Sequence, residues 1–310
     1  MNIFELLCKT NTAPGAETDA VKVIREYFSG KEAKTDALGN LCVKITDAGE
    51  DAEKLAVFVS IDAPGLIVTY INDNGSVKVA PLGNCNYKSV CFSKVTNGRI
   101  TGILTPDNAD ADSVDKSYVN FGFKDRKEAE SELNQGDVLF FESGVTELKN
   151  GKFCGAGLGV KATASAVCLA SEKLTDIADK SVYLVFCTQS ELVGRGAYPA
   201  AFGINPHKAL CIAPYNGKVF AVKVLDKSLV CDRELTEKLY EITEKHCEKA
   251  EKYLSSTEMS DASKVQSAHV GVRVASVMFP VENKNSLAET VCSENIPILA
   301  DIIAEFLHNI

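Results

Sequence analysis

SVYLVFCTQSELVGRGAYPAAFG, residues 181–203, holds an apolar run, a polar glycine-bearing turn and a second apolar stretch in close succession. The run SVYLVFC is nearly unbroken, as a sheet strand covered on both faces requires. AYPAAFG reads as a short helix. Between them lies TQSELVGRGA, residues 188–197, at the carboxyl end of the predicted strand. Ligands of open α/β sheets sit at such strand ends. Glu191 and Arg195 are therefore candidate site residues. The competing reading is an ion pair between them on one helical turn.

The same rhythm extends in both directions. KLAVFVSID (54–62) is another doubly buried run, and LGNLCVKI (38–45) is a strand before it. IFELL and AVKVIREYF carry apolar residues at helical spacing, with Thr18 or Asp19 as the cap of the second. ATASAVCLASEKL (162–174) is a small-residue helix, KALCIA (208–213) a strand and VASVMFP (274–280) another. RELTEKLYEITEKHCEKAEKYL (233–254) reads as one long amphipathic helix, and residues 288–310 as a closing helix. Residues 219–230 fit one bent strand or two. Strands alternating with helices predict an α/β sheet with helices on both faces. Between Leu66 and Glu147 the character changes to short β-rich pieces, among them LIVTYI, SVKVAPL and RITGIL, punctuated by Gly, Asn and Asp. That stretch reads as an inserted, barrel-like β domain. The expected division is 1–64 with 155–310 for the α/β domain, and 65–154 for the insert.

Composition narrows the function classes. The chain has 310 residues, 45% hydrophobic and 24% charged, with a net charge of −9. An acidic surface without basic clusters disfavours nucleic acid and anionic membranes as partners. No apolar stretch approaches the roughly 18 residues of a membrane span. The opening MNIFELLCKTNT lacks a basic segment followed by an apolar core, which predicts no secretory signal. Eleven cysteines include no CxxC pair and sit mostly in apolar runs. Free thiols in a reducing cytoplasm are the expectation. The four histidines, His207, His246, His269 and His308, show no HxH, HxD or HExxH spacing. His246 and His308 read as solvated helix residues. No GxSxG elbow, P-loop or GxGxxG after a strand occurs. GAGLGV (155–160) lacks the full nucleotide-loop spacing and has no strong strand directly before it.

Residues 188–197 resemble the strand-end motif QEEVGxRGA of the glutamyl, deblocking and tetrahedral aminopeptidases, a family with a cocatalytic two-metal site. Other landmarks follow in that family's order. PGAE (14–17) resembles GPSGxE, DALGN (36–40) resembles DxLGN, and VSIDAPG (59–65) resembles AHMDEVG. PLGN (81–84) resembles PLGG, and GAGLGVKA (155–162) resembles GKALDDRxG. EMSDA (258–262) resembles GGTDA, and FPVENKNSLAE (279–289) resembles PxRYxHSxxE. The resemblance spans residues 14–289. It implies a metallo-exopeptidase-like α/β sheet split by an inserted β-barrel-like domain. It also implies two divalent ions, zinc or cobalt, and assembly into dimers or larger particles.

Carried over residue by residue, the resemblance places the family's metal ligands on substituted positions. The first metal-binding His falls on Ser60, the bridging Asp on Gly159 and the general-base Glu on Ser190. The next ligand is retained as Glu191. The following Asp falls on Ala213, and the last His on Asn285. Asp62, Gln189, Arg195, Gly196, Asp261 and Glu289 survive as supporting residues. Two metal ions about 3.5–4 Å apart need anionic bridging ligands. Glycine cannot bridge, and serine and asparagine are weak zinc ligands beside imidazole and carboxylate. Asp62 and Glu191 with waters are the carboxylates able to hold one hard ion, Mg²⁺ or Ca²⁺, weakly. No cofactor is therefore expected. The expectation is an aminopeptidase homologue that has lost peptidase activity and retains a scaffold, assembly or peptide- or amino-acid-binding role, as a cytoplasmic homo-oligomer. The alternative is an active metal-dependent aminopeptidase. A further reading, Ser60 or Ser190 as nucleophile beside Asp62 or Glu191, lacks an activating histidine.

Overall fold

The apolar runs found in the sequence pair side by side. The computed structural model describes residues 2–142, 144–174 and 176–310. Strands Glu53–Ser60, Lys180–Cys187, Lys208–Asn216 and Arg273–Val281 run parallel as the centre of a nine-stranded sheet. Leu41–Thr46 and Glu32–Thr35 extend it on one side, and Phe220–Asp226, Leu229–Val230 and Ala250–Leu254 on the other. Helices cover both faces. Leu158–Ser171 has 12 of its 14 residues buried, so it is a core helix and not an amphipathic cover. It packs against the closing helix Asn295–Asn309. The opposite face holds Ala197–Ile204 and Asp261–Gln266 over a separate small-residue core.

The glycine- and asparagine-punctuated stretch closes into a six-stranded barrel, drawn from strands between Gly65 and Phe141 with its own apolar centre. Closure removes the sheet edges that an insert of short strands would expose. Thr146–Glu147 and Lys152–Gly155 instead pair with Glu289–Cys292 in a three-stranded sheet. The architecture is mixed α/β with an added barrel, as the alternation predicts.

Several local expectations are corrected. The helix beginning at Arg233 ends at His246, and Ala250–Leu254 is a strand parallel to Phe220–Asp226. Glu289–Cys292 is likewise a strand, and the last helix begins only at Asn295. Helix Thr18–Tyr27 is preceded by Glu17 and has no side-chain cap, so neither Thr18 nor Asp19 caps it. Residues 219–230 resolve into two strands joined by a turn. A strand, Lys152–Gly155, does lead directly into GAGLGV.

Candidate functional site

The four parallel strands end at one edge, and past those ends a cleft of about 840 Å³ opens toward the barrel loop at Asn84 and Asn86. Ser60, Ser190, Glu191, Ala213, Asp261 and Asn285 all line it. Six positions singled out from sequence therefore share one concavity, of a size that suits a small molecule or short peptide.

Four side chains from distant landmarks fix the loop 188–196 that forms one wall. Glu17 Oε1 accepts the N–H groups of Gln189 (2.8 Å) and Gly15 (3.1 Å). Asn40 Oδ1 accepts from Thr188 N (2.9 Å), while its Nδ2 donates to Gly196 O (2.9 Å). Asp62, 0% exposed, accepts the N–H groups of Ser190 and Glu191, each at 2.9 Å. Asp261 Oδ2 accepts the Ser190 hydroxyl at 2.6 Å. Gly196 has no room for a side chain: a Cβ would lie 2.2 Å from Asn40 Oδ1 and 2.4 Å from Thr188 O. The loop is bent hard, with Gln189 at φ 52° and the β-branched Val193 at φ 64°. Such conformations persist only where surrounding bonds over-determine them.

Burial sets the electrostatics. It pushes the Asp62 carboxyl well up, against the pull of its two backbone donors. It raises Asp261 to about 6, opposed by the Ser190 hydroxyl and by the ammonium groups of Lys223 and Lys284. Burial also raises Glu191, with Lys284 pulling it down. Glu289 is raised in the same way, with the N–H groups of Gly159 and Asn285 opposing.

The positions onto which the resemblance places metal ligands make other contacts. Gly159 N donates to Glu289 Oε2 at 3.0 Å, and a Cβ at this residue would lie 2.8 Å from Pro214 Cβ and 3.0 Å from Val281 Cγ2. Asn285, at φ 61°, donates its N–H to Glu289 Oε1 at 2.8 Å. Glu191 Oε2 accepts from Asn84 N at 3.2 Å and lies against Gly83. Asp62 and Glu289 sit behind the cleft wall. Glu289 faces a second, narrower cavity of about 40 Å³ beside Lys161 and Thr12. Arg195 is exposed away from the cleft, and Gln189 does not line it. No Glu191–Arg195 ion pair forms among the described residues, because the segment is a 3₁₀ turn followed by left-handed Val193.

The histidines stand elsewhere. His207 Nδ1 accepts from Lys54 N at 3.0 Å. His246 Nε2 pairs with Glu305 Oε2 at 2.7 Å, and His308 bridges Ala304 O and Asp176. The last two are thus partnered; His308 remains exposed, in keeping with its reading as a solvated residue, and His246 is half-buried. Sequence reasoning missed two cleft lysines. Lys223, 1% exposed, pairs with Asp226 Oδ2 at 2.8 Å, and the Ser260 hydroxyl donates to the same oxygen at 2.6 Å. A lysine inside the apolar run FAVKVLD was the available signal. Lys284 lines the cleft beside Asn285.

The resemblance implies two divalent ions, and the donor set does not fit them. Among the described residues no group of three or more His, Cys, Asp or Glu side chains is arranged to hold a metal ion. The space a bridging carboxylate at 159 would need is filled by Pro214 and Val281.

The M42 glutamyl aminopeptidase family model matches residues 39–299. A lysyl aminopeptidase of Pyrococcus furiosus is 25% identical over 326 aligned residues, covering 94% of this chain and 93% of that protein. The aminopeptidase APDkam598 of Desulfurococcus kamchatkensis superposes with a TM-score of 0.86 at 22% identity, over 99% of this chain and 97% of its own. The TET1 peptidase of Pyrococcus horikoshii, which assembles into a tetrahedron or an octahedral shell, gives 0.83 at 21% identity, with 99% of each chain covered. By fold and sequence match, this chain belongs to the M42 glutamyl aminopeptidase family.

Proposed function

We propose that the chain is a non-catalytic member of its family, in which the cleft survives as a binding site and the two-metal centre is gone. The carrying observation is Gly159, whose surroundings leave no space for a bridging carboxylate. On this reading Ser60, Ala213 and Asn285 are vacated ligand positions, Ser190 is the vacated general-base position, and Glu191 is the one ligand retained. Asp62, Gln189, Arg195, Asp261 and Glu289 keep supporting roles. Glu191 now holds the barrel loop through Asn84. Neutral replacements also suit stability, because clustered carboxylates without their metals repel one another.

The barrel is taken as an inserted domain, 65–154, within an α/β domain of 1–64 and 155–310. The chain is taken to form homo-oligomers, as the Pyrococcus horikoshii peptidase does. A cytoplasmic location accords with its eleven free thiols. Among the described residues no helix is long and apolar enough to cross a membrane.

Family membership favours the second reading, an active metal-dependent aminopeptidase. Elemental analysis after reloading with Zn²⁺, Co²⁺ and Mn²⁺ decides between them. The expected result is below about a tenth of an equivalent of metal per chain, with no release of N-terminal residues from peptides. Two tightly held equivalents with turnover would overturn the proposal.

A further inference from the structure

The cleft is lined by charges that are nearly all committed. Asp261 accepts the Ser190 hydroxyl, Glu191 accepts Asn84 N, and Glu258 accepts the Tyr253 hydroxyl. Lys223 is held by Asp226. Lys284 is different. Its backbone N–H reaches Asn216 Oδ1, but among the described residues its ammonium makes no hydrogen bond or ion pair. The Ser60 hydroxyl and the side-chain amides of Asn84, Asn86 and Asn285 line the same cleft and are equally unengaged among the described residues. A half-buried ammonium with no hydrogen-bonded partner among the described residues, beside several free amide and hydroxyl groups, offers convergent donors to an anion, although carboxylates line the same cleft.

We infer that the cleft binds a small organic anion, with a carboxylate on the Lys284 ammonium and neighbouring groups on the amides of Asn84, Asn86 and Asn285. Carboxylate is preferred over phosphate because one ammonium offsets one negative charge, whereas a phosphate concentrates about −1.5 to −2 at a single point. Asp261, Glu191 and, from behind the cleft wall, Glu289 interact electrostatically with Lys284 and oppose an incoming anion. Each already accepts donated hydrogen bonds that hold its charge locally. The cleft volume, about 840 Å³, admits ligands well beyond a single inorganic ion.

This inference rests on the reading of a metal-free cleft, and its test separates the two. Calorimetric titration of the whole protein, freed of metal by chelator, is made with glutarate, inorganic phosphate and putrescine in turn. The expected result is saturable heat from glutarate that falls with rising salt. Lys284→Gln weakens it about tenfold or more, the usual scale for losing a charged hydrogen bond. Lys284→Arg, which keeps the charge, retains most of the affinity and shows that the loop still folds. Glutarate binding unchanged by Lys284→Gln overturns the inference, as does binding of putrescine instead, or heat from none of the three. Phosphate binding without glutarate overturns the carboxylate assignment. Tight uptake of two metal equivalents sinks the underlying reading whatever the anion result.

Discussion

Asp226 illustrates how one buried residue ties charge to stability. Burial alone would raise its carboxyl, but the Lys223 ammonium, the Ser260 hydroxyl and the Ser228 N–H outweigh that and hold it below its ordinary value. A lowered carboxyl contributes stability above the unfolded value of 3.8, lost as pH falls through the folded one. Asp226→Ala leaves Lys223 buried without a partner and should cost about 3–5 kcal/mol at neutral pH, measured by urea unfolding. Asp261 has the opposite sign. Its carboxyl is raised from 3.8 to about 6, so its contribution is full below 3.8 and lost as pH rises through about 6. Asp261→Asn should therefore flatten the profile of melting temperature against pH across that interval, and an unchanged profile would refute the assignment. Gly159→Asp should destabilise by about 1–3 kcal/mol through overpacking, without raising zinc uptake in the same elemental assay.

At the scale of elements, the loop 188–196 is the part that most depends on distant sequence. Asn40→Ala removes the acceptor of Thr188 N and the donor to Gly196 O. A buried donor left unpaired costs about 1–3 kcal/mol, and amide exchange at Thr188 should speed up by roughly tenfold or more. Unchanged protection there would show that the other anchors suffice. The strands bounding this loop were legible because they are continuous apolar runs. KAEKYL, by contrast, was read as helix because its charges and apolar residues continue the period of the helix before it. It becomes a strand by pairing with Phe220–Asp226, a tertiary contact that local spacing does not encode. Glu289–Cys292 was missed for the same reason. The cleft residues Ser60, Ser190, Glu191, Ala213, Asp261 and Asn285 were reached through landmark order. Lys284 was not, because a search for metal donors passes over an ammonium.

At the scale of the molecule, the barrel meets the α/β body through few polar bonds near the cleft. Asn84 N reaches Glu191, and Leu287 N reaches Ser89 Oγ at 3.0 Å. The body also exposes apolar side chains around one helix: Val193 is 57%, Tyr198 42% and Phe202 51% exposed, with His269 stacked on the Phe202 ring at 4.0 Å. Val270 beside it is fully exposed. Such patches mark interaction surfaces. Light scattering on the purified protein should give a mass of at least two 33.3 kDa chains. A monomer at micromolar concentration would remove assembly from the proposed role.

The filling of the space beside Gly159 by Pro214 and Val281 has a historical consequence. On the reading proposed above, a carboxylate introduced at 159 is strained by its neighbours before it brings any benefit. Pro214 and Val281 belong to two adjacent strands of the central sheet, so reversal requires coordinated change in both. On that reading the packing acts as a ratchet: selection reshapes what this cleft holds more readily than it restores a bridging carboxylate.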